Sequence, residues 1–299
     1  MTDLVLGVFG PTASGKSDVA AAIAEQIPAE VVSADAMQVY DALPILTNRS
    51  PHAERLVGIW PLEHSASVGE YAPLAHADID EILAAGRTPL VAGGSGLYFR
   101  AALAELALPP APADGEREHW SRFYDEEGAA SAHARLRERD PAAADRIHPN
   151  DRRRVVRALE LTAAGRSLAP AREQLFEGAW RHPTLVVGLD VPKDVLERRI
   201  AERTRRMFEA GVVEEVRAAL AAPISPTARR VLGVDEVASL PPEQAAEAIV
   251  LRTRRYAAYQ RKWMRRLEGL VMVAADRAPE EVAAEIVALA RARERLSRR

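Results

Sequence analysis

GVFGPTASGKSDVA, residues 7–20, decides how this chain folds. Ahead of it LVLGVF (4–9) is a compact apolar run closed by a glycine turn, which predicts a buried strand. From Lys16 to Ile27 the sequence reads as a helix. Between the two, Gly10, Pro11, Thr12, Ala13, Ser14, Gly15, Lys16 and Ser17 satisfy the pattern G-x-x-x-x-G-K-[ST] in full. The glycines let the backbone wrap with its N–H groups pointing inward, and the helix N-terminus adds positive potential. Lys16 supplies a point charge for a terminal phosphate, and the Ser17 hydroxyl can ligate Mg²⁺. Such a loop specifies phosphate and leaves open which phosphate compound it holds.

Outward from the loop, EVVSAD (30–35) and TPLVAGG (88–94) read as further short strands, the second preceded by a helix from Val68 to Ala85. Strands alternating with helices imply right-handed crossovers and a parallel sheet. After Leu108 a proline-rich stretch leads into some seventy residues without a convincing strand. They read as short helices over 116–126 and 129–139, one opened by Asp140-Pro141, and one from Asp151 to about Ala164. The strand pattern resumes at TLVVGLDV (184–191) and ends with LVMVAAD (270–276). The expected fold is therefore α/β, a P-loop NTPase-like parallel sheet core with an inserted all-helical domain. Residues 1–110 and 184–299 would form the core and 111–183 the insertion, with borders at Pro109, Pro110, Pro112 and His182-Pro183.

The 299 residues, 48% hydrophobic and 28% charged, suit a domain with a sizeable insertion. No apolar run approaches the roughly 18 residues that span a bilayer. The first residues pass straight into a strand with no basic leader or cleavage site, so a cytoplasmic protein with no membrane partner is expected. The absence of cysteine excludes disulfides and thiolate metal sites. A net charge of −3 argues against a uniformly cationic nucleic-acid binder, yet from Val250 onward 13 Arg or Lys face 6 Asp or Glu. That excess is either a solvated helix face or a surface turned towards RNA.

A P-loop normally has a carboxylate at a neighbouring strand end. Asp35 ends one strand, whereas the run GGSG ends the next with none. This weakens a standard ATPase reading, in which an Asp on a central strand helps to hold magnesium. Asp35 is left as the carboxylate best placed beside the loop, unless it only caps the next helix.

Six stretches in order carry a resemblance: GPTASGKS (10–17), SADAMQVY (33–40), VAGGSGLYFRA (91–101), RIHPNDRRRVVRALE (146–160), GLDVPKDVLERRI (188–200) and RRYAAYQRKW (254–263). Together the chain resembles the tRNA dimethylallyltransferases, also called tRNA isopentenyltransferases. The resemblance implies transfer of a dimethylallyl group from dimethylallyl diphosphate to N6 of adenosine 37 in the anticodon loop of tRNA. Mg²⁺ at Ser17 is the implied cofactor, and the loop would hold the diphosphate that leaves. A monomer is the expected state.

The resemblance also implies roles. Asp35 matches the residue that orients the adenine amine and takes its proton. Ser95 stands for the usual Thr beside the reacting atoms, and Arg203 matches a diphosphate-binding arginine, although an exposed helix arginine would look the same. The tRNA-contacting set comprises Asp35, Ala36, Met37, Gln38, Ser95, Arg117, Arg153, Arg154 and Arg157. Arg153 and Arg157 are four residues apart on one helix face and could grip phosphates. Tyr256 and Trp263 read equally well as core.

Several positions depart from the family pattern. Ala36 replaces Ser, Ala92 replaces Gly, and Asp235 and Tyr259 replace a Lys and an Arg. PHAERLVGI (51–59) stands for the usual P-H-H-L-I-D run. These departures bear on the acceptor, and two other readings stay open: an adenylate isopentenyltransferase acting on a free nucleotide, and a P-loop small-molecule kinase.

Overall fold

A computed structural model of the chain describes residues 4–106, 108, 113, 115–168 and 179–297. Its contacts divide it into two units, Met1–Ala104 with Trp180–Arg299, and Glu105–Ala179. The prolines at 109, 110 and 112, expected as a border, lie outside the described residues. At the other end the first unit reaches back to Trp180, because Ala104 bridges Trp180 and the Arg181 N–H donates to Leu103 O at 2.8 Å.

The first unit is built on a six-stranded sheet. Its strands are β1 (Val5–Phe9), β2 (Ala29–Ser33), β3 (Glu54–Arg55), β4 (Thr88–Gly93), β5 (Thr184–Asp190) and β6 (Val271–Ala274). All pairs are parallel, in the order β3-β2-β4-β1-β5-β6, and Val8 on β1 sits between Ala92 on β4 and Val187 on β5. β1 is buried throughout, as a central parallel strand covered on both faces must be. One face packs Leu6 and Val8 with Ile23 of the helix Lys16–Gln26 and Ile286 of the helix Pro279–Ser297. On the other, a Cβ at Gly7 would lie 2.8 Å from Phe99, so glycine there lets the helix Gly96–Leu103 close on the strand.

β3 is the one strand the sequence pattern does not announce. Two residues carry no period, and it exists because Val31 and Val32 of β2 offer a free edge to Glu54 and Arg55. Arg55 is fixed there by Glu30, Asp78 and Glu81 at 2.7–3.1 Å.

The second unit holds helices Glu116–Arg139, Pro141–Ala144 and Arg152–Ala163 among its described residues. Gly128, at φ +84°, breaks the first where the sequence reads two helices. Asp140 caps the second by accepting from Ala143 N at 3.0 Å, and Asp151 caps the third by accepting from Arg154 N at 3.2 Å. Trp120, Tyr124, Leu136, Val155 and Leu159 form a separate core for this unit.

Candidate active site

The phosphate loop leaves the end of β1 as the pattern requires. Ala13 and Gly15 adopt φ +64° and +87°, left-handed turns that wrap the loop ahead of the helix. The Gly10 N–H donates to Gly93 O at 3.3 Å, which ties the loop to the end of β4. Gln260, on the helix Pro242–Met264, braces it from outside the sheet. Its side chain accepts from Thr12 N at 2.7 Å and donates to Gly94 O at 3.0 Å.

The loop opens onto a cavity of about 510 Å³. Lys16, Ser17, Asp35, Glu54, Arg203 and Tyr256 all line it, although 240 residues separate the first from the last. Lys16 donates to Pro11 O at 2.8 Å. Burial lowers its pKa to about 8, and Arg203 pushes the same way while Asp35 and Glu54 oppose. Burial likewise lowers the pKa of Arg203, with Asp35 opposing and Arg206 assisting. Two hydroxyls in the lining have no partner: Ser14 Oγ and Thr253 Oγ1, on residues 1% and 2% exposed. Buried orphan donors are uncommon in proteins.

Asp35 serves two ends at once. One oxygen, Oδ1, accepts from Met37 N at 2.9 Å, so Asp35 caps a turn and not the helix expected after it. The residue also faces the cavity, so the carboxylate reading holds. Ser95 Oγ accepts from Ala36 N at 3.1 Å and lies 3.3 Å from the Tyr256 hydroxyl. Tyr256 is thus a cavity residue, its pKa raised first by burial and then by Asp35. Trp263 is core, packed on Gly96 so closely that a Cβ there would lie 2.1 Å from the indole. Met37 and Gln38 line the cavity, but the Gln38 amide is engaged internally, donating to Thr47 O at 3.2 Å and facing Ser33 Oγ at 3.4 Å. An apolar part of the lining comes from Met207, Val231, Leu232, Ile249 and Leu46, the last held by its N–H on Glu215 at 2.7 Å.

The expectation that no second carboxylate stands beside the loop is corrected by Glu54. β3 places it next to the loop, with its carboxylate against the Ser17 and Ser50 hydroxyls, and burial raises its pKa. Sequence reading passed over Glu54 and missed the bracing role of Gln260. The only signal for the latter was its place in the RRYAAYQRKW run.

The remaining expected residues lie in the helical unit. Arg117 and Arg157 both bind Glu160, at 3.0 and 2.7 Å, and the Glu160 side chain is buried. Arg153 and Arg154 are exposed.

An anion cradle that shares its cavity with the Asp35 carboxylate and the Tyr256 hydroxyl is the arrangement of a P-loop group-transfer enzyme acting on a phosphorylated substrate. Comparisons narrow the class. The family model described as IPP transferase matches residues 38–267, and that described as isopentenyl transferase matches 4–60. The tRNA dimethylallyltransferase of Thermobifida fusca is 40% identical over 280 residues, covering 88% of this chain and 87% of its own. That of Corynebacterium jeikeium is 37% identical over 297 residues, covering 95% of each. The crystal structure of the full-length tRNA isopentenylpyrophosphate transferase from Bacillus halodurans aligns with a TM-score of 0.70 at 27% identity, covering 100% of both chains. The chain belongs to the IPP transferase family.

Proposed function

We propose that the chain transfers a dimethylallyl group from dimethylallyl diphosphate to N6 of adenosine 37 in the anticodon loop of tRNA, releasing diphosphate. Carrying this reading is one observation: the anion cradle of Lys16 and Arg203 and the Asp35 carboxylate face a single cavity.

The chemistry follows from what each group can do. N–H groups at the helix end of the loop, Gly15 to Ser17, with Lys16 and Arg203, stabilise the charge that grows on the diphosphate as the C1–O bond breaks. The second oxygen of Asp35 accepts an N6–H, and takes that proton as the N6–C1 bond forms. Ser95 and Tyr256, linked to each other and to Ala36 N, hold the Asp35 turn in place. The target base leaves its stack to reach the cavity, where Met37 and Gln38 line its approach.

Hydroxyl and carboxylate oxygens beside a diphosphate are the hard donor set that Mg²⁺ takes, so Ser17 fits the expected cation. When bound there the ion would offset charge on the leaving group. In the helical unit the exposed Arg153 and Arg154 would meet RNA phosphates, while Arg117 and Arg157 would contribute through their shared Glu160. The unit Glu105–Ala179 would form the tRNA-binding insertion. Among the described residues no helix is long and apolar enough to cross a membrane, and the enzyme would work as a cytoplasmic monomer.

Incubation with labelled dimethylallyl diphosphate, Mg²⁺ and either tRNA unmodified at adenosine 37 or AMP tests the reading. Label in tRNA is expected. Label in AMP alone would move the protein to the free-nucleotide enzymes, and label in neither would overturn prenyl transfer.

A further inference from the structure

We propose that Glu54 supplies the carboxylate that holds the divalent cation at Ser17, which leaves Asp35 to serve the acceptor amine. This rests on the prenyl-transfer reading only for the nature of the anion and the acceptor.

Both carboxylates line the one cavity and both act on Lys16, but Glu54 accepts from the Ser17 hydroxyl while Asp35 accepts from the Met37 N–H. Glu54 lies among Ser17, Ser50, His52 and Lys16, on the side of the phosphate loop where a cation must sit to meet both the Ser17 hydroxyl and a diphosphate. Asp35 lies among Lys16, Glu54, Arg203, Tyr256 and Tyr71, and one of its oxygens is committed to the Met37 N–H.

The two duties conflict in a single group. A carboxylate bound to a divalent cation loses the basicity needed to take a proton. A carboxylate that must accept an N6 proton therefore works best away from the metal. Placing Glu54 on β3 resolves the conflict, because the edge strand carries a second carboxylate to the loop without disturbing the turn that presents Asp35. Arg55, clamped by three acids, fixes β3 and with it the position of its neighbour.

The test uses the full chain, Mn²⁺ as the cation and inorganic pyrophosphate as the anion, with free Mn²⁺ read by electron paramagnetic resonance. Neither tRNA nor prenyl transfer is needed, so failure of the functional reading shows in the labelling assay and leaves this result standing. Glu54→Gln is expected to weaken Mn²⁺ binding in the presence of pyrophosphate by about 10-fold or more, with metal-free pyrophosphate binding retained or tightened. Asp35→Asn is expected to bind Mn²⁺ as the wild type does. Raised Mg²⁺ should restore transfer by Glu54→Gln and not by Asp35→Asn. Wild-type Mn²⁺ affinity in Glu54→Gln, or an equal loss in Asp35→Asn, overturns the proposal. If Glu54→Gln does not fold, Glu54→Asp takes its place: the shortened carboxylate must still weaken Mn²⁺ binding, and wild-type affinity there overturns the proposal as well.

Discussion

Lys16 is the residue where charge and burial are most finely opposed. Loss of water lowers its pKa from 10.5 to about 8, and Arg203 adds to the shift against the pull of Asp35 and Glu54. Between those two values the free protein carries a largely neutral Lys16, whereas a bound diphosphate favours the ammonium. Pyrophosphate binding in that window must therefore take up a proton, and affinity must fall as pH rises through it. Calorimetry in buffers of different ionisation enthalpy reads the uptake directly. Lys16→Met should abolish it, and proton-neutral binding by the wild type in that window would contradict the assignment. Asp35 makes a complementary prediction in the rate. Asp35→Asn keeps the Met37 N–H acceptor but removes the base, so single-turnover transfer should fall by about 10²-fold or more, with tRNA affinity retained. A wild-type rate would remove Asp35 from the chemistry.

At the scale of elements, the run Gly93-Gly94-Ser95-Gly96 explains how strand, loop and helix come so close. A Cβ at Gly93 would lie 2.3 Å from Ala34 O, at Gly94 2.3 Å from Gln260 Nε2, and at Gly96 2.1 Å from Trp263. The run and the Gln260–Trp263 segment are thus two halves of one packing joint. An indole cannot yield as a flexible chain can, so Gly96→Ala should cost about 1–3 kcal/mol and lower the melting temperature. Gly69→Ala is the matched control: it lies exposed in the helix Val68–Ala84 with nothing nearer than 3.8 Å, and should be neutral or stabilising. Equal effects from the two would refute the joint. The same elements show what could be read in advance. β1, β2, β4, β5 and β6 were legible because each is a compact apolar run flanked by turn residues. β3 was not, since its only cause is the free edge of β2, a tertiary fact with no local signature. Glu54 went unseen with it, all the more because PHAERLVGI departs from the family run. Gln260 was visible as a motif letter, but its partner Thr12 lies 248 positions away, so its duty appears only when the chain is folded.

At the scale of the molecule, a net charge of −3 on 299 residues gives no general attraction to RNA, so any affinity for tRNA must come from local groups. In the helical unit the run Arg152-Arg153-Arg154 divides itself by partner. Arg152 is bound to Asp125 at 2.5 Å and stacks on Tyr124, which makes it a brace. Arg117 and Arg157 share the buried Glu160, so removing either leaves that carboxylate half-paired and unsettles the unit itself. Arg153 is exposed, and Arg154 lies half open with only Asp151 at 3.5 Å. These two are the cations free to exchange a weak or solvent-filled environment for phosphate. Arg153→Glu/Arg154→Glu should therefore weaken tRNA binding and reduce the slope of log affinity against log salt by about 0.7–0.9 for each lost phosphate contact. Folding of the unit and pyrophosphate binding should stay as in the wild type, because neither residue contributes to the unit's core cluster or lines the phosphate cavity. Filter binding of tRNA across a salt series, with pyrophosphate calorimetry alongside, separates the two. An unchanged salt slope would place the RNA contacts elsewhere, and the cationic stretch after Val250, with its 13 basic against 6 acidic residues, would be the next surface to neutralise.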